Sequence, residues 1–471
     1  MYTSFMSIGR LPKEWSQAIV TPVHKGGNSS DVSNYRPISL TSVACKVMER
    51  IITNDLLLYL REHNVISKHQ HGFLSRRSTS TNLLETLQDW TIAINDKHSV
   101  VAAYIDFAKA FDTVSHPKLL IKLKSYGISG NLLAWIESFL SNRTQQTKIG
   151  HCLSQVSSVP SGVVQGSVLG PVLFLLYVND ITKIFDDHCV CKLFADDVKL
   201  YMQVNTADDC VLLENKLNSL AKWCSDWQLN ISEKKCAVLF LSSNSKNSTG
   251  NELDKLKLGL NNSVLPVVSH IRDLGVIVDN RLHYNLHVNK IVSSAFVKVN
   301  LIFKCFTSRC VPILLRAFKT YVRPGLEYAS CIWSPYRKTS IVQVESVQRR
   351  FTKRLPGYCH LSYAERLRKL GLESLEVRRL RQDLILVYKI LFGMLDVNPW
   401  NFFELAHPNH STRGHDFKLF QHYNRIDMRK YFFAERVVRP WNSLAANRED
   451  FFNIGAFKAL LNRTDLSSLL E

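Results

Sequence analysis

This sequence predicts an α+β fold in two parts, and three observations carry the prediction. Over residues 1–280, short apolar runs of strand type alternate with stretches whose apolar residues recur at three-four spacing. Beyond residue 280 only the helical pattern continues. Charge divides at the same place. Residues 1–280 hold 28 basic and 25 acidic side chains, whereas 281–471 hold 31 and 15, so most of the formal net charge of +19 lies in the second part. A near-neutral domain followed by a basic one that faces a polyanion is expected. With 471 residues, 46% of them hydrophobic, the chain can build more than one core.

The elements follow in order. "AIVTPVHKGG" (18–27) reads as a strand entering a glycine turn, and "NYRPISL" (34–40) is extended because Pro37 biases Arg36 away from helix. An amphipathic helix covers 42–63 and a second covers 79–95. "SVVAAYI" opens as a buried strand at 99, and 116–140 is helical. A glycine-rich turn then runs into an apolar helix over 160–181. After a hairpin comes a helix at 206–225, with Trp223 and Trp227 near its end packing in a core. Strands are expected at 234–241 and 271–279, separated by a polar loop over 242–263. The basic half offers helices at 287–306, 340–355 and 361–393, each of the first two pairing an apolar stripe with basic residues. No repeat or low-complexity tract appears.

The 11 cysteines contain no CxxC, and neither a metal-ligand nor a disulfide spacing, so free thiols in a reducing compartment are expected. The longest apolar run, "VLGPVLFLLYV" (168–178), is too short to span a bilayer, and "MYTSFMSIGR" is no signal peptide. An intracellular protein without a membrane partner is the expectation.

The chemistry is concentrated in "CKLFADDVKLY" (191–201), where Asp196 and Asp197 interrupt an apolar hairpin. Charge placed there must be paired or metal-bound. Asp106 ends the apolar run "VVAAYI", where a buried strand would release a side chain into a cleft. Three aspartates on neighbouring strand ends can hold two Mg²⁺ ions roughly 3.5–4 Å apart, with Mn²⁺ as an alternative; such a pair activates a primer hydroxyl and neutralises leaving pyrophosphate. A lone Asp-Asp pair is usually a solvated turn. The apolar flanks and the matching Asp106 argue against that here.

"FADD" (194–197) resembles the aromatic-x-Asp-Asp signature of reverse transcriptases, and "DFAKAFDTV" (106–114) resembles their preceding catalytic motif. Together with "LPKEWSQAIVTPVHKGG", "NYRPISL", "QHGF" (70–73), "QGSVLGPVLF" and "LGVIVD", the chain is similar to non-LTR, jockey-like retrotransposon polymerases over about residues 11–280. The resemblance implies a right-hand polymerase fold, with fingers and palm over 1–280, a helical thumb over 281–356 and a basic, mainly helical C-terminal region over 357–471. It also implies an RNA-directed DNA polymerase whose partners are RNA template, DNA primer and deoxynucleoside triphosphates, found in nucleus and cytoplasm.

Under that resemblance each motif has a role. Asp106, Asp196 and Asp197 align with the metal-binding aspartates. Lys25 and Arg36 fall where the fingers grip the incoming triphosphate, for which paired cations suit phosphoryl transfer. Gln165 and Gly166 lie in the turn under the templating base and nucleotide, glycine permitting close backbone approach. Lys235 matches the lysine that protonates leaving pyrophosphate, with Lys234 as its rival. Phe111 matches an aromatic steric gate against ribose, though on the residues alone it is also a core phenylalanine. Asp112 is structural.

Two departures stand out. Val164 occupies the position of a usual proline in the turn, which loosens the loop without removing a reacting group. An apurinic-endonuclease-like domain, usual before "LPKEW", is absent from the sequence, and so is a Cys-Cys-His-Cys knuckle, so an endonuclease acting in trans is expected. Two readings compete. A viral RNA-dependent RNA polymerase would carry glycine before the aspartates, where this chain has Ala195. A catalytically silent, truncated nucleic-acid-binding relic would not be expected to retain Asp106, Asp196 and Asp197.

Overall fold

The computed structural model describes residues 2–242, 258–261, 263–406 and 415–470, which fall into two units, each discontinuous in sequence. The first comprises Met1–Leu74, Ala102–Val238 and Lys255–Pro266; the second comprises Ser75–Val101, Leu239–Asp254 and Val267–Glu471.

In the first unit, β1 (Gln17–His24) and β2 (Tyr35–Leu40) pair antiparallel with Val23 opposite Arg36. The helix α1 (Val43–Glu62) is capped by Ser42, whose hydroxyl accepts from Cys45 N, and it buries Met48, Ile52, Leu56 and Leu60 along one stripe. Helix α2 (Thr79–Asn95) belongs to the second unit. Strand β3 (Ser99–Ile105) is followed by α3 (His116–Ser125), α4 (Gly130–Leu140) and β4 (Arg143–Ile149), the last running parallel to β1. Helix α5 (Gly170–Val178) is apolar on every side and accordingly buried along its whole length. Its amino end is capped across 119 residues by Glu49 of α1, whose Oε2 accepts from Val168 N at 2.7 Å and from Leu169 N at 3.0 Å. The hairpin β5 (Val190–Phe194) and β6 (Asp197–Val204) precedes α6 (Ala207–Asp226) and β7 (Ala237–Leu241), whose residues from Leu239 on are assigned to the second unit. These strands belong to a five-stranded sheet in the order Val267–Val268, β7, β3, β6, β5, so β3 lies beside the hairpin strand β6.

Trp223 and Trp227 are structural, as expected, but they enclose a charge. Lys122 of α3 lies 3.6 Å from the Trp227 ring centre, 4.8 Å from that of Trp223 and 5.2 Å from that of Tyr177, and it pairs with Asp180 at 2.5 Å. Burial pulls this ammonium down to about 8.

Several elements differ from the sequence reading. Strand β7 starts at Ala237 because Glu233–Lys235 form a 3-10 turn. Residues 271–279 are not one strand but the hairpin β8 (His270–Asp273) and β9 (Val276–Asp279), reversed at Leu274–Gly275, both with positive φ. Within the expected loop, Gly259–Leu260 pairs with Ser263–Val264; residues 243–257 lie outside the described residues.

Beyond residue 280 the second unit is mainly helical. It includes α7 (Asn285–Cys305), α8 (Lys338–Lys353), α9 (Tyr363–Leu370), α10 (Leu375–Leu391) and α11 (Ile454–Arg463). The helix expected over 361–393 is broken by Gly371 at φ +57, after which Ser374 caps α10. Aromatic residues near the carboxyl end form a core: Phe451 packs on Phe417, Trp441 and Phe457, and Trp441 Nε1 donates to Phe417 O at 2.7 Å. All 11 cysteines are free thiols, seven of them buried. Among the described residues no helix is long and apolar enough to cross a membrane.

Candidate active site

Asp106 is the first residue past β3, and its surroundings are built by backbone pairing. Its carbonyl accepts from Ser232 N at 2.7 Å, and Ala108 N donates to Asn230 O at 2.8 Å. The segment 230–232 is thereby fixed beside 106–108, and the 3-10 turn that follows carries Lys235 Nζ to 3.2 Å from Asp106 Oδ1. Between the two lysines open from sequence, Lys235 is the one that reaches Asp106.

Asp196 occupies a two-residue turn closed by the Phe194–Asp197 pair of the β5–β6 hairpin. The turn's first residue, Ala195, has φ +57, a left-handed conformation that costs a residue with a Cβ roughly 1–2 kcal/mol. "QHGF" holds it there. Gln70 Oε1 accepts from Ala195 N at 2.9 Å and from Gly72 N at 2.7 Å, while His71 N donates to Leu193 O and Leu193 N to His69 O. A Cβ on Gly72 would stand 2.4 Å from Ala195 N, so only glycine lets the two backbones approach. Nothing local in the sequence marks Gln70 for this role: its neighbours Lys68, His69 and His71 are polar, and its partner Ala195 lies 125 residues away.

The electrostatics converge on Asp196. Burial pushes its carboxyl above the usual range and the Asp106 charge adds to this, while Arg36 and Lys235 pull it back. Asp197 opens β6 and is solvent-exposed. A second group forms around the glycine-rich turn. Gln165 Nε2 donates to Asp112 Oδ1 at 2.7 Å, and Gln165 O accepts from Ser39 N of β2 at 2.7 Å. Gly166, at φ +113, would place a Cβ 2.5 Å from Ser39 O. Asp112 is structural, as read: it orients Gln165. Phe111 is half-buried, stacked on Phe174 at 4.4 Å and edge-on to Phe73 at 6.4 Å. Lys25 lies exposed in the β1–β2 turn, its backbone N–H on Asn34 O. The structure thus gathers Asp106, Asp196, Lys235 and Arg36, and groups Gln165 and Gly166 with Asp112 and Ser39.

Divalent cations take hard oxygen donors, which these aspartates are. Among the described residues no three His, Cys, Asp or Glu side chains gather closely enough to hold a metal. The fit therefore rests on Asp106 and Asp196, whose mutual repulsion a dication would relieve.

A family model described as reverse transcriptase (RNA-dependent DNA polymerase) matches residues 23–278. The chain belongs to the reverse transcriptase family. Its relatives are of the non-LTR retrotransposon kind. The RNA-directed DNA polymerase from mobile element jockey of Drosophila melanogaster is 27% identical over 372 residues, covering 76% of this chain and 39% of that protein. The probable RNA-directed DNA polymerase from transposon BS of the same organism is 26% identical over 370 residues, covering 74% and 39%. The chain therefore spans about two fifths of the length of the relatives it matches. Among solved structures, apo telomerase from Candida tropicalis aligns with a TM-score of 0.45 at 12% identity, covering 79% of this chain and 62% of that one.

Proposed function

We propose that this chain is an RNA-directed DNA polymerase, copying an RNA template onto a DNA primer from deoxynucleoside triphosphates by two-metal nucleotidyl transfer. The observation that supports it best is the convergence of Asp106 and Asp196 with Lys235 and Arg36, inside the stretch matched by the family model. Asp106 and Asp196, with Asp197 beside them, would hold the divalent ions, which supply primer-hydroxyl activation and charge neutralisation when bound. Lys235 donates a proton to the leaving pyrophosphate, Arg36 and Lys25 hold the triphosphate, and Gln165 and Gly166 support the templating base. Phe111 excludes the ribose 2′-hydroxyl. In this reading residues 1–280 act as fingers and palm, 281–356 as a thumb, and 357–471 as a basic C-terminal region. The test is primer extension by the full chain on poly(rA)·oligo(dT) with Mg²⁺ or Mn²⁺. Incorporation of thymidylate is expected; a folded chain that extends no primer with either ion overturns the proposal.

A further inference from the structure

The second unit contains a cavity of about 760 Å³ between the start of α8, the helix α10 and the turns around residues 430–440. Three side chains that line it are buried with hydrogen-bonding capacity unused. Arg379, 2% exposed, has no partner for Nε or Nη1. Asp383 and Glu435, 3% and 4% exposed, have no donor for Oδ1 and Oε2 respectively. Their other oxygens are engaged, Asp383 Oδ2 by Arg436 at 2.9 Å and Glu435 Oε1 by Arg429 at 2.8 Å. Buried polar groups are almost always satisfied, so idle ones beside a cavity point to a ligand that completes them.

The lining also specifies what that ligand looks like. Two idle guanidinium N–H groups suit an anion, and Lys430 adds a cation at the rim. The idle carboxylate oxygens suit amino or hydroxyl donors. Tyr336 and Tyr431, stacked 4.0 Å apart with planes 1° from parallel, form an aromatic wall suited to a planar ring. The volume is that of a small-molecule site.

We propose that this cavity binds a nucleoside phosphate, with phosphate on Arg379, the base against the tyrosine wall and its amino or hydroxyl groups toward Asp383 and Glu435. The same chemistry is offered by a free mononucleotide and by one residue of an unpaired RNA strand. The cavity lining shares no residue with the aspartate centre, so the proposal is argued independently of polymerase activity.

The test uses the full chain in EDTA, which removes divalent cations, and two probes: adenosine monophosphate and a labelled six-nucleotide poly(rA). At least one should bind, and Arg379→Met should weaken that binding tenfold or more. Lys430→Glu should weaken it more than Lys458→Glu, which makes the same charge change at an exposed position outside the cavity lining. Binding of the monophosphate identifies a free nucleotide; binding of the hexamer alone identifies a strand. If Arg379→Met proves unfolded by thermal melting, Tyr431→Leu carries the same expectation. No binding of either probe overturns the proposal. So does equal weakening by Lys430→Glu and Lys458→Glu, or preference for an oligoglutamate over both nucleic-acid probes.

Discussion

Two groups of carboxylates, one in each unit, are held in opposite ways. In the second unit they are locked to arginine: Glu435 to Arg429 with side chains 2% and 7% exposed, Asp383 to Arg436 at 5% and 17%. Arg429 is further fixed by Gln88 Oε1 at 2.8 Å and Thr91 Oγ1 at 3.1 Å. In the first unit the Asp106–Lys235 contact is open to solvent, at 38% and 66% exposure, and Asp196 is left raised rather than paired. Arginine's planar fork fixes one oxygen of each of these carboxylates and leaves the other open, whereas a flexible lysine leaves the whole carboxylate available for exchange with other cations. The first arrangement holds the fold and keeps one oxygen free toward the cavity, and the second suits ions that come and go.

Substitution can break this contrast. The largest effect should follow Asp196→Asn, lowering primer extension by about 10²–10³-fold through loss of transition-state charge stabilisation. The same variant should melt no lower than the parent, since burial already disfavours the charged form. Loss of stability with retained activity would reverse the comparison. Next, Glu435→Gln should cost about 3 kcal/mol of stability, because it strands the buried Arg429 charge. Denaturant midpoints measure this, and extension per folded molecule at low temperature should be unchanged.

A smaller effect concerns Lys122, a charge that the first unit buries. Its folded pKa of about 8 lies below the ordinary 10.5, so between those values the unfolded chain holds a proton that the folded chain lacks. Stability from this group therefore rises with pH across that window and is penalised below it. The gap between parent and Lys122→Met should shift in the parent's favour by about 2 kcal/mol from pH 8 to 10.5. Cysteines and tyrosines titrate in both proteins and cancel in the difference. Smallest is Phe111→Val, expected to raise ribonucleotide incorporation about tenfold relative to deoxynucleotide, or ~1.4 kcal/mol, in single-nucleotide extension kinetics. An unchanged sugar preference would make Phe111 a packing partner of Phe174 and nothing more.

Much of this was legible in the sequence wherever the signal was local. Asp106 and Asp196 stood out because apolar flanks make a charge conspicuous, and most helices followed their apolar spacing. What depended on distant contacts was not legible. Gln70 clamps Ala195 from 125 residues away, Glu49 caps a helix 119 residues on, and the choice of Lys235 over Lys234 depends on the turn after Ser232. The apolar residues Leu274 and Val276–Val278 run on through Gly275, hiding a reversal that the glycine alone could have flagged. Charge counting also overstated the basic surface. Arg366, Arg379 and Arg429 are buried, and Arg378, Arg381 and Arg436 answer internal carboxylates, so less of the excess remains for a polyanion.

The placement of α2 in the second unit has a consequence for biosynthesis. This helix buries Leu83, Leu84, Leu87, Trp90 and Ile94, and Arg429 bonds to its Gln88 and Thr91. On a ribosome adding roughly 5–20 residues per second, α2 waits about 20–70 s for residue 429 to be made. Through that interval the nascent chain displays an apolar helix without its eventual cover. Such a chain is a natural client for chaperones bound near the ribosome exit, and slowed elongation downstream of residue 100 would lengthen its exposure to aggregation.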